Sequence, residues 1–331
     1  MCDLGHLYLA QNWKKSISSS GEMSGNKSSY TDLAIDESTS VFLIVFTSVQ
    51  VLVGSTANFM VIFTIVRSRE LTKRSEDRLI LNLGLADFLA LTTFLPWHIF
   101  LLWQGKISVK VQRSYEALNS LVVYYGGNAV MAIALDRLIA VLLPMRHWKM
   151  MSKRTTLTMA FLTFLVAVIL ATLDYISADL THKSRKLLIK ILFIPYNVIF
   201  CTILAILYSF ILYSTLKQAR QVTKQRKNLG IKFGNYSVRR LVRTILKITL
   251  LVVLYYATYL PLSIYVFVYS TLVENQQRIA QATARCWIYS FLFLNSCANP
   301  YVYALQTERF KTAIYKTWST SIRTKKTSIS R

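Results

Sequence analysis

One carboxylate and a set of side-chain oxygens stand in stretches that are otherwise apolar: Asp87 in NLGLADFL, Asn58 in STANFMV, and Asn295, Ser296 and Asn299 in LNSCANPYVY. Carboxylate, amide and hydroxyl oxygens are hard donors, so together they suit a small hard cation such as sodium, with water completing its shell. The plainer alternative is a protonated Asp87 that links helices and binds no ion. Asn295 and Asn299 are four residues apart and Tyr303 lies one turn further, so on a helix the three share a face. Pro300 lacks an N–H, which leaves the carbonyl of Ser296 without its helical partner and predicts a kink. A second marker is ALDRLIAVLLPMRHW, where Asp136 adjoins Arg137. The guanidinium has two choices, its neighbouring carboxylate or a cavity beneath, which makes a two-state element; in isolation the pair reads equally as two interfacial charges snorkelling to water.

The elements that must carry these residues are membrane helices. The chain has 331 residues, 53% of them hydrophobic and only 16% charged, where a soluble domain carries about a quarter charged. Apolar runs of the length a bilayer demands fall at 41–66, 79–102, 114–135, 155–176, 190–216, 248–273 and 286–307. Backbone groups in hydrocarbon must be satisfied within the segment, so these seven are helices. Placing the first with its amino end outside puts 27 of the 39 Lys and Arg on the cytoplasmic side: five in 67–78, five in 137–154, ten in 217–247 and seven in 309–331. That asymmetry chooses the orientation, and the net charge of +24 reports topology rather than a nucleic-acid partner.

The chain divides into an extracellular tail (1–40), a seven-helix domain (41–305), a short amphipathic helix (306–318) and a cytoplasmic tail (319–331). In ERFKTAIYKTW, Phe310, Ile314 and Trp318 lie on one face, as in a helix resting on a membrane surface. Of the two glycosylation sequons, at Asn26 and Asn235, the orientation leaves only Asn26 lumenal. A transporter or channel would also use an intramembrane carboxylate and kinked helices, but an internal repeat would be expected and none is evident. No nucleophile with its base and no metal-ligand cluster is visible, so neither an enzyme nor a cofactor is expected.

In order along the chain, Asn58, NLGLADFL, the Pro96 kink, LDRLIAV followed by Pro144, Pro261 in ATYLPLS, LNSCANPYVY and Phe310 resemble the rhodopsin-like (class A) G-protein-coupled receptors. The likeness covers roughly residues 41–318. It implies an all-α, seven-transmembrane bundle in the plasma membrane, with the N-terminus outside and an eighth, amphipathic helix inside. It implies that Asp87 is a sodium-site aspartate, with Asn58, Asn295, Ser296 and Asn299 around it. Asp136 and Arg137 match the family's Asp-Arg-Tyr motif, whose arginine is released on activation and meets a heterotrimeric G protein. Asn299, Pro300 and Tyr303 match its Asn-Pro-x-x-Tyr motif, Pro261 its helix 6 pivot, and Tyr259 stands in place of the helix 6 tryptophan. By position, Glu116, Asn119, Tyr124, Tyr259, Leu262, Ser263 and Val266 would form the ligand cup. Receptor kinases and arrestin would act on TWSTSIRTKKTSISR, and membrane lipids would hold the eighth helix.

Several positions depart from that pattern. Gln112 stands where the family carries the outer cysteine of helix 3, and SADLTHKSRKL has no partner cysteine. Only Cys2 and Cys286 would face an oxidising exterior, and a bridge between them is an expectation. Leu138 replaces the motif's tyrosine, Phe164 the helix 4 tryptophan, and Gly126 a serine of the sodium shell. Pro195 and Tyr208 are 13 apart where eight is usual, so either the register shifts or Phe200 holds the proline's place. SVRRLVRTILK, at the start of helix 6, offers no acid to hold Arg137, which predicts high basal activity. Leu292 stands where a retinal Schiff base needs its lysine, which disfavours light, and Asn119 replaces the aspartate that binds amines, leaving that option to Glu116 one turn outward. Lys183, Arg185, Lys186, Lys190, Arg278 and Arg285 ring the outer mouth and would steer an acidic ligand or peptide inward.

Overall fold

The computed structural model describes residues 30–32, 35–180, 182–228, 253–268, 278–302 and 309–317. Asn26, Cys2, Tyr303 and the start of helix 6 lie outside them, as do the side chains of Lys183, Lys186, Lys190 and Arg278.

Five helices are long and apolar enough to cross a membrane. They are α1 (Glu37–Arg67), α2 (Ser75–Gln104), α3 (Val109–Leu142), α4 (Lys153–Ser177) and α5, which spans Ile191–Gln218 and runs on to Asn228. A sixth, α6 (Val253–Val268), is apolar and shorter among the described residues. The seventh, α7, comes in two pieces, Arg278–Leu292 and Leu294–Pro300. An eighth, α8, occupies 309–317, with Phe310 buried against the core. Helices α1 to α4 overrun their hydrophobic segments at both ends because polar turns and caps continue them into the interface. Asp36 caps α1 by accepting from Thr39 N at 2.9 Å, and Ser152 caps α4 by accepting from Thr155 N at 3.2 Å.

α3 is the central element, packing on α2, α4 and α5. Leu79, Leu91, Phe94 and Leu204 are fully buried around it. One feature is not helical: Tyr30–Asp32 (β1) pairs antiparallel with Lys106–Ser108 (β2), in the register Tyr30↔Ser108, Thr31↔Ile107 and Asp32↔Lys106. Gly105, at φ 65, ends α2 in the left-handed conformation that glycine adopts without strain. It turns the chain back so that β2 can receive the amino-terminal segment.

A π turn interrupts α2 at Ala90–Phe94 and another leads into α5 at Ile189–Phe193. Each closes two residues before a proline, Pro96 and Pro195. A proline cannot donate to the carbonyl four residues back, and widening the preceding turn relieves that mismatch. Beyond the second π turn, Phe200 stacks on Tyr196 with ring centroids 6.0 Å apart and lies eight residues before the buried Tyr208.

Candidate functional site

Three polar clusters built on residues that the sequence singles out are strung along the bundle interior. The innermost sits where α3 leaves the bundle. Asp136 is fully buried and accepts from Arg137 Nε at 3.1 Å and Nη2 at 2.5 Å. His147 Nε2 lies 3.0 Å from its other oxygen. Arg137 Nη1 reaches Glu76 Oε2 of α2 at 3.2 Å. The acid that holds Arg137 therefore comes from α2, which a reading confined to helix 6 misses. Arg78, two residues further along α2, was not singled out by its spacing. It donates to Thr156 Oγ1 at 2.6 Å, Thr72 O at 3.0 Å and Met151 O at 3.3 Å, tying α2 to the turns on either side.

The middle cluster joins α1, α2 and α7. Asn299 Nδ2 donates to Asp87 Oδ2 at 2.8 Å, and both residues are buried. The Ser296 side chain stands within interaction range of the Asp87 carboxylate. Asn58 Nδ2 donates to the Ser296 carbonyl at 2.9 Å and to the Gly54 carbonyl at 3.0 Å. The first of these bonds answers the vacancy that Pro300 creates: the carbonyl that loses its helical partner is taken by a side chain from another helix. This requires α1 to approach closely, and Gly54 permits it. A Cβ there would lie 2.6 Å from Cys297 Sγ and 2.8 Å from Leu91 Cδ1. The Cys297 thiol itself donates to the Gln50 carbonyl at 3.6 Å.

Asn295 is not drawn into this network by any hydrogen bond; its Oδ1 is buried without a partner among the described residues. A carboxylate, a hydroxyl and an orphaned amide oxygen fit a hard monovalent cation. No group of three or more His, Cys, Asp or Glu occurs among the described residues to suit a divalent one. At Gly126 a Cβ would meet nothing within 4 Å, so space rather than an oxygen stands there.

The outer cluster is built on Glu116 of α3. Its carboxylate accepts from Arg185 Nη2 at 2.8 Å, Arg285 Nη1 at 3.1 Å and Gln112 Nε2 at 2.8 Å. Asp174 of α4 accepts from Ser120 Oγ at 2.6 Å and stands 4.0 Å from Arg185. Arg185 and Arg285, expected to draw in an acidic ligand, are thus already paired with Glu116. That carboxylate is equally committed and is no bare anchor for an amine. Gln112, in the place of the missing cysteine, joins the same cluster, so charge ties the loop helix His182–Leu188 to α3 where a disulfide would have done so. Cys286 is a free thiol packed in the core. The expected bridge to Cys2 falls on a residue outside the described ones.

The remaining cup positions spread along α3 and α6. The Tyr259 hydroxyl donates to Val123 O at 3.2 Å, and its ring stacks on Tyr255 at 4.7 Å. Ser263 bonds back to Tyr259 O at 3.2 Å. Tyr124 packs edge-on against Tyr196, and Asn119 is buried with its Oδ1 unpartnered among the described residues. Leu262 is buried and Val266 is packed on the core, while Pro261 is on the exposed face of α6.

A buried histidine escaped the motif search altogether. His98 Nδ1 lies 2.7 Å from Tyr115 Oη and Nε2 lies 3.0 Å from Ser290 Oγ, while Gln50 Nε2 donates to Ser290 O at 2.9 Å. Four helices meet at this node. Its only sequence signal is a histidine inside an apolar run, a type rare enough in membranes to merit notice.

A family model described as 7 transmembrane receptor (rhodopsin family) matches residues 57–303. Galanin receptor 2a of Danio rerio is 23% identical over 305 residues, covering 86% of this chain and 80% of that receptor. Galanin receptor 2b of Danio rerio is 23% identical over 301 residues, covering 85% and 75%. The C-C chemokine receptor type 9 of Homo sapiens is 24% identical over 301 residues, covering 80% and 74%.

Proposed function

The chain belongs to the rhodopsin family of seven-transmembrane receptors, and on that footing we propose how its residues divide the work of a receptor that signals through G proteins. The amino end faces outside, as the distribution of basic residues favours, and the plasma membrane is its site. A ligand in the outer cup favours a state in which α6 pivots near Pro261 and Arg137 leaves Glu76 and Asp136. The C-terminal helix of a Gα subunit then enters the opened end. Since Arg185 and Arg285 are already paired, the ligand reading shifts from a small acidic molecule to a peptide. Relatives named for galanin and for a C-C chemokine support that choice. Asp87, Ser296 and Asn295 are the residues that would hold sodium, which supplies a positive charge beside the buried carboxylate. Helix α8 lies on the inner membrane surface, and receptor kinase and arrestin act on the serines and threonines after it.

The observation that carries the reading is Arg137, half-buried, paired with the fully buried Asp136 and latched across to Glu76 at 3.2 Å. Gα-dissociation sensors in cells displaying the wild type, Glu76→Gln and Arg137→Ala at matched surface levels test it. One Gα class should respond above mock, more strongly with Glu76→Gln and not at all with Arg137→Ala. A response that survives Arg137→Ala overturns the role given to that residue.

A further inference from the structure

At the end of the bundle that carries Arg137, a cleft of about 880 Å³ opens between the α1–α2 connection and α8. Arg67, Arg69, Lys73, Arg74, Arg309 and Lys316 line it, against a single acid, Glu70. Phe63, Leu71 and Ala313 supply an apolar wall. The contrast with the outer end is informative. There Arg113, Arg185 and Arg285 each pair with a carboxylate. Here, among the described residues, no ion pair engages Arg67, Arg69, Lys73, Arg74 or Arg309. Like charges gathered in a concave space repel one another, and an anion of several charges relieves that repulsion. Arginine forks match phosphate oxygens two at a time.

We propose that this cleft binds a polyphosphorylated anion of the inositol phosphate class, with the α1–α2 connection and α8 as the two jaws. The fold places those jaws where a span ends and a surface helix begins, the depth at which lipid headgroups lie. The membrane source is therefore a phosphoinositide of the inner leaflet, and the soluble source is a free inositol phosphate. The inner-leaflet placement rests on the orientation proposed above; the binding itself does not. Occupancy would fix α8 to the first inner connection and bias the end of the bundle that a G protein enters.

The test is binding of a fluorescent short-chain phosphatidylinositol bisphosphate to the purified full-length receptor in detergent at ~150 mM salt, where diffuse electrostatics is screened beyond about 8 Å. One basic residue near a membrane surface contributes about fivefold in affinity. Arg74→Gln should thus weaken binding about fivefold, and Arg69→Gln/Lys73→Gln/Arg74→Gln together about a hundredfold. The matched control Arg146→Gln/Lys149→Gln/Lys153→Gln removes equal charge outside the cleft and should change binding less than twofold. If the triple cleft variant fails to purify, Arg74→Gln and Arg309→Gln singly carry the comparison, with Arg74→Lys expected to retain most of the binding. Displacement of the probe by soluble inositol trisphosphate supports the site with headgroup chemistry sufficient. Binding of the lipid that the soluble compound cannot displace supports the membrane source. No binding, or equal losses in cleft and control variants, overturns the proposal. Because the readout needs no G protein, a silent sensor panel and an empty cleft are distinguishable failures.

Discussion

Replacing Glu116 by glutamine removes one negative charge from a point where three donors converge. Arg185 at 2.8 Å and Arg285 at 3.1 Å lose their shared carboxylate. A hydrogen bond to a charged group contributes ~1.5–3 kcal/mol. The side chains of Glu116 and Arg285 are 17% and 15% exposed, whereas Arg185 is 32% exposed, which puts the Arg185 bond at the low end. The amide of the variant still accepts from one donor. Together these give a loss of about 3 kcal/mol. At roughly 2 °C per kcal/mol for a chain of this size, the thermal midpoint should fall by about 6 °C. The structure supplies its own reporter: Cys201, Cys286 and Cys297 are free thiols within the bundle, so a fluorogenic maleimide follows unfolding of the detergent-solubilised receptor. Arg285→Gln should cost a similar amount, and the double variant less than the sum, with a coupling of ~1–2 kcal/mol. A midpoint within about 1 °C of wild type, or strictly additive losses, would refute the view that charge replaces the outer disulfide.

Other outcomes follow from the same geometry. His98→Phe preserves the stacking on Phe94 but orphans the buried hydroxyls of Tyr115 and Ser290, at ~1–3 kcal/mol each. The midpoint should drop by about 4–12 °C, and adding Tyr115→Phe and Ser290→Ala should restore most of it; no restoration would show that His98 acts through packing alone. Asp87→Asn keeps an acceptor for Asn299, so the variant should fold, while any rise in thermal midpoint on exchanging choline for sodium chloride should vanish. A sodium effect that persists in the variant removes the site from Asp87. Asp36 is held at about 2, below its usual 3.8, chiefly by the Ser38 hydroxyl and then by Thr39. A depressed carboxyl stabilises the folded state above its unfolded value, and that contribution is lost as pH falls through the folded one. Fraying of the first turn of α1 should therefore begin below pH 4 and be complete near 2, as seen by solution NMR of the labelled Asp36 carboxyl, and Asp36→Asn should abolish the dependence.

Much of the architecture was legible because a bilayer imposes a length on apolar runs. Segment 41–66 sits inside Glu37–Arg67, and 155–176 inside Lys153–Ser177. Hydropathy sees only the hydrocarbon core, so the capped polar turns beyond it went unseen. Asp87 and Asn299 were legible as polar groups in lipid that had to find each other. Arg137 was legible by its motif and its latch was not, since Glu76 sits 61 residues earlier in an ordinary charged turn. Only the rotation of α2 against α3 brings the two together. The same holds for His98 with Ser290, which looked unremarkable, and for Glu116 with Arg285, which stood out singly and became partners only when helix packing chose their faces. The β1–β2 pairing was invisible because three-residue strands have no periodicity to detect.

The π turn at Ala90–Phe94 holds one residue more than a regular turn would need. Closing it into regular helix without removing a residue, as replacing Pro96 would favour, would rotate everything outward of it by most of one residue's ~100°. His98 would swing off Tyr115 and Ser290, while Asp87 and Glu76, inward of the turn, would stay where they are. A single substitution could thus re-aim the half of α2 that carries His98 and spare the half that carries Asp87 and Glu76. In this fold, then, the two halves of one helix are separately editable in inheritance, with a proline-relieving turn as the joint between them.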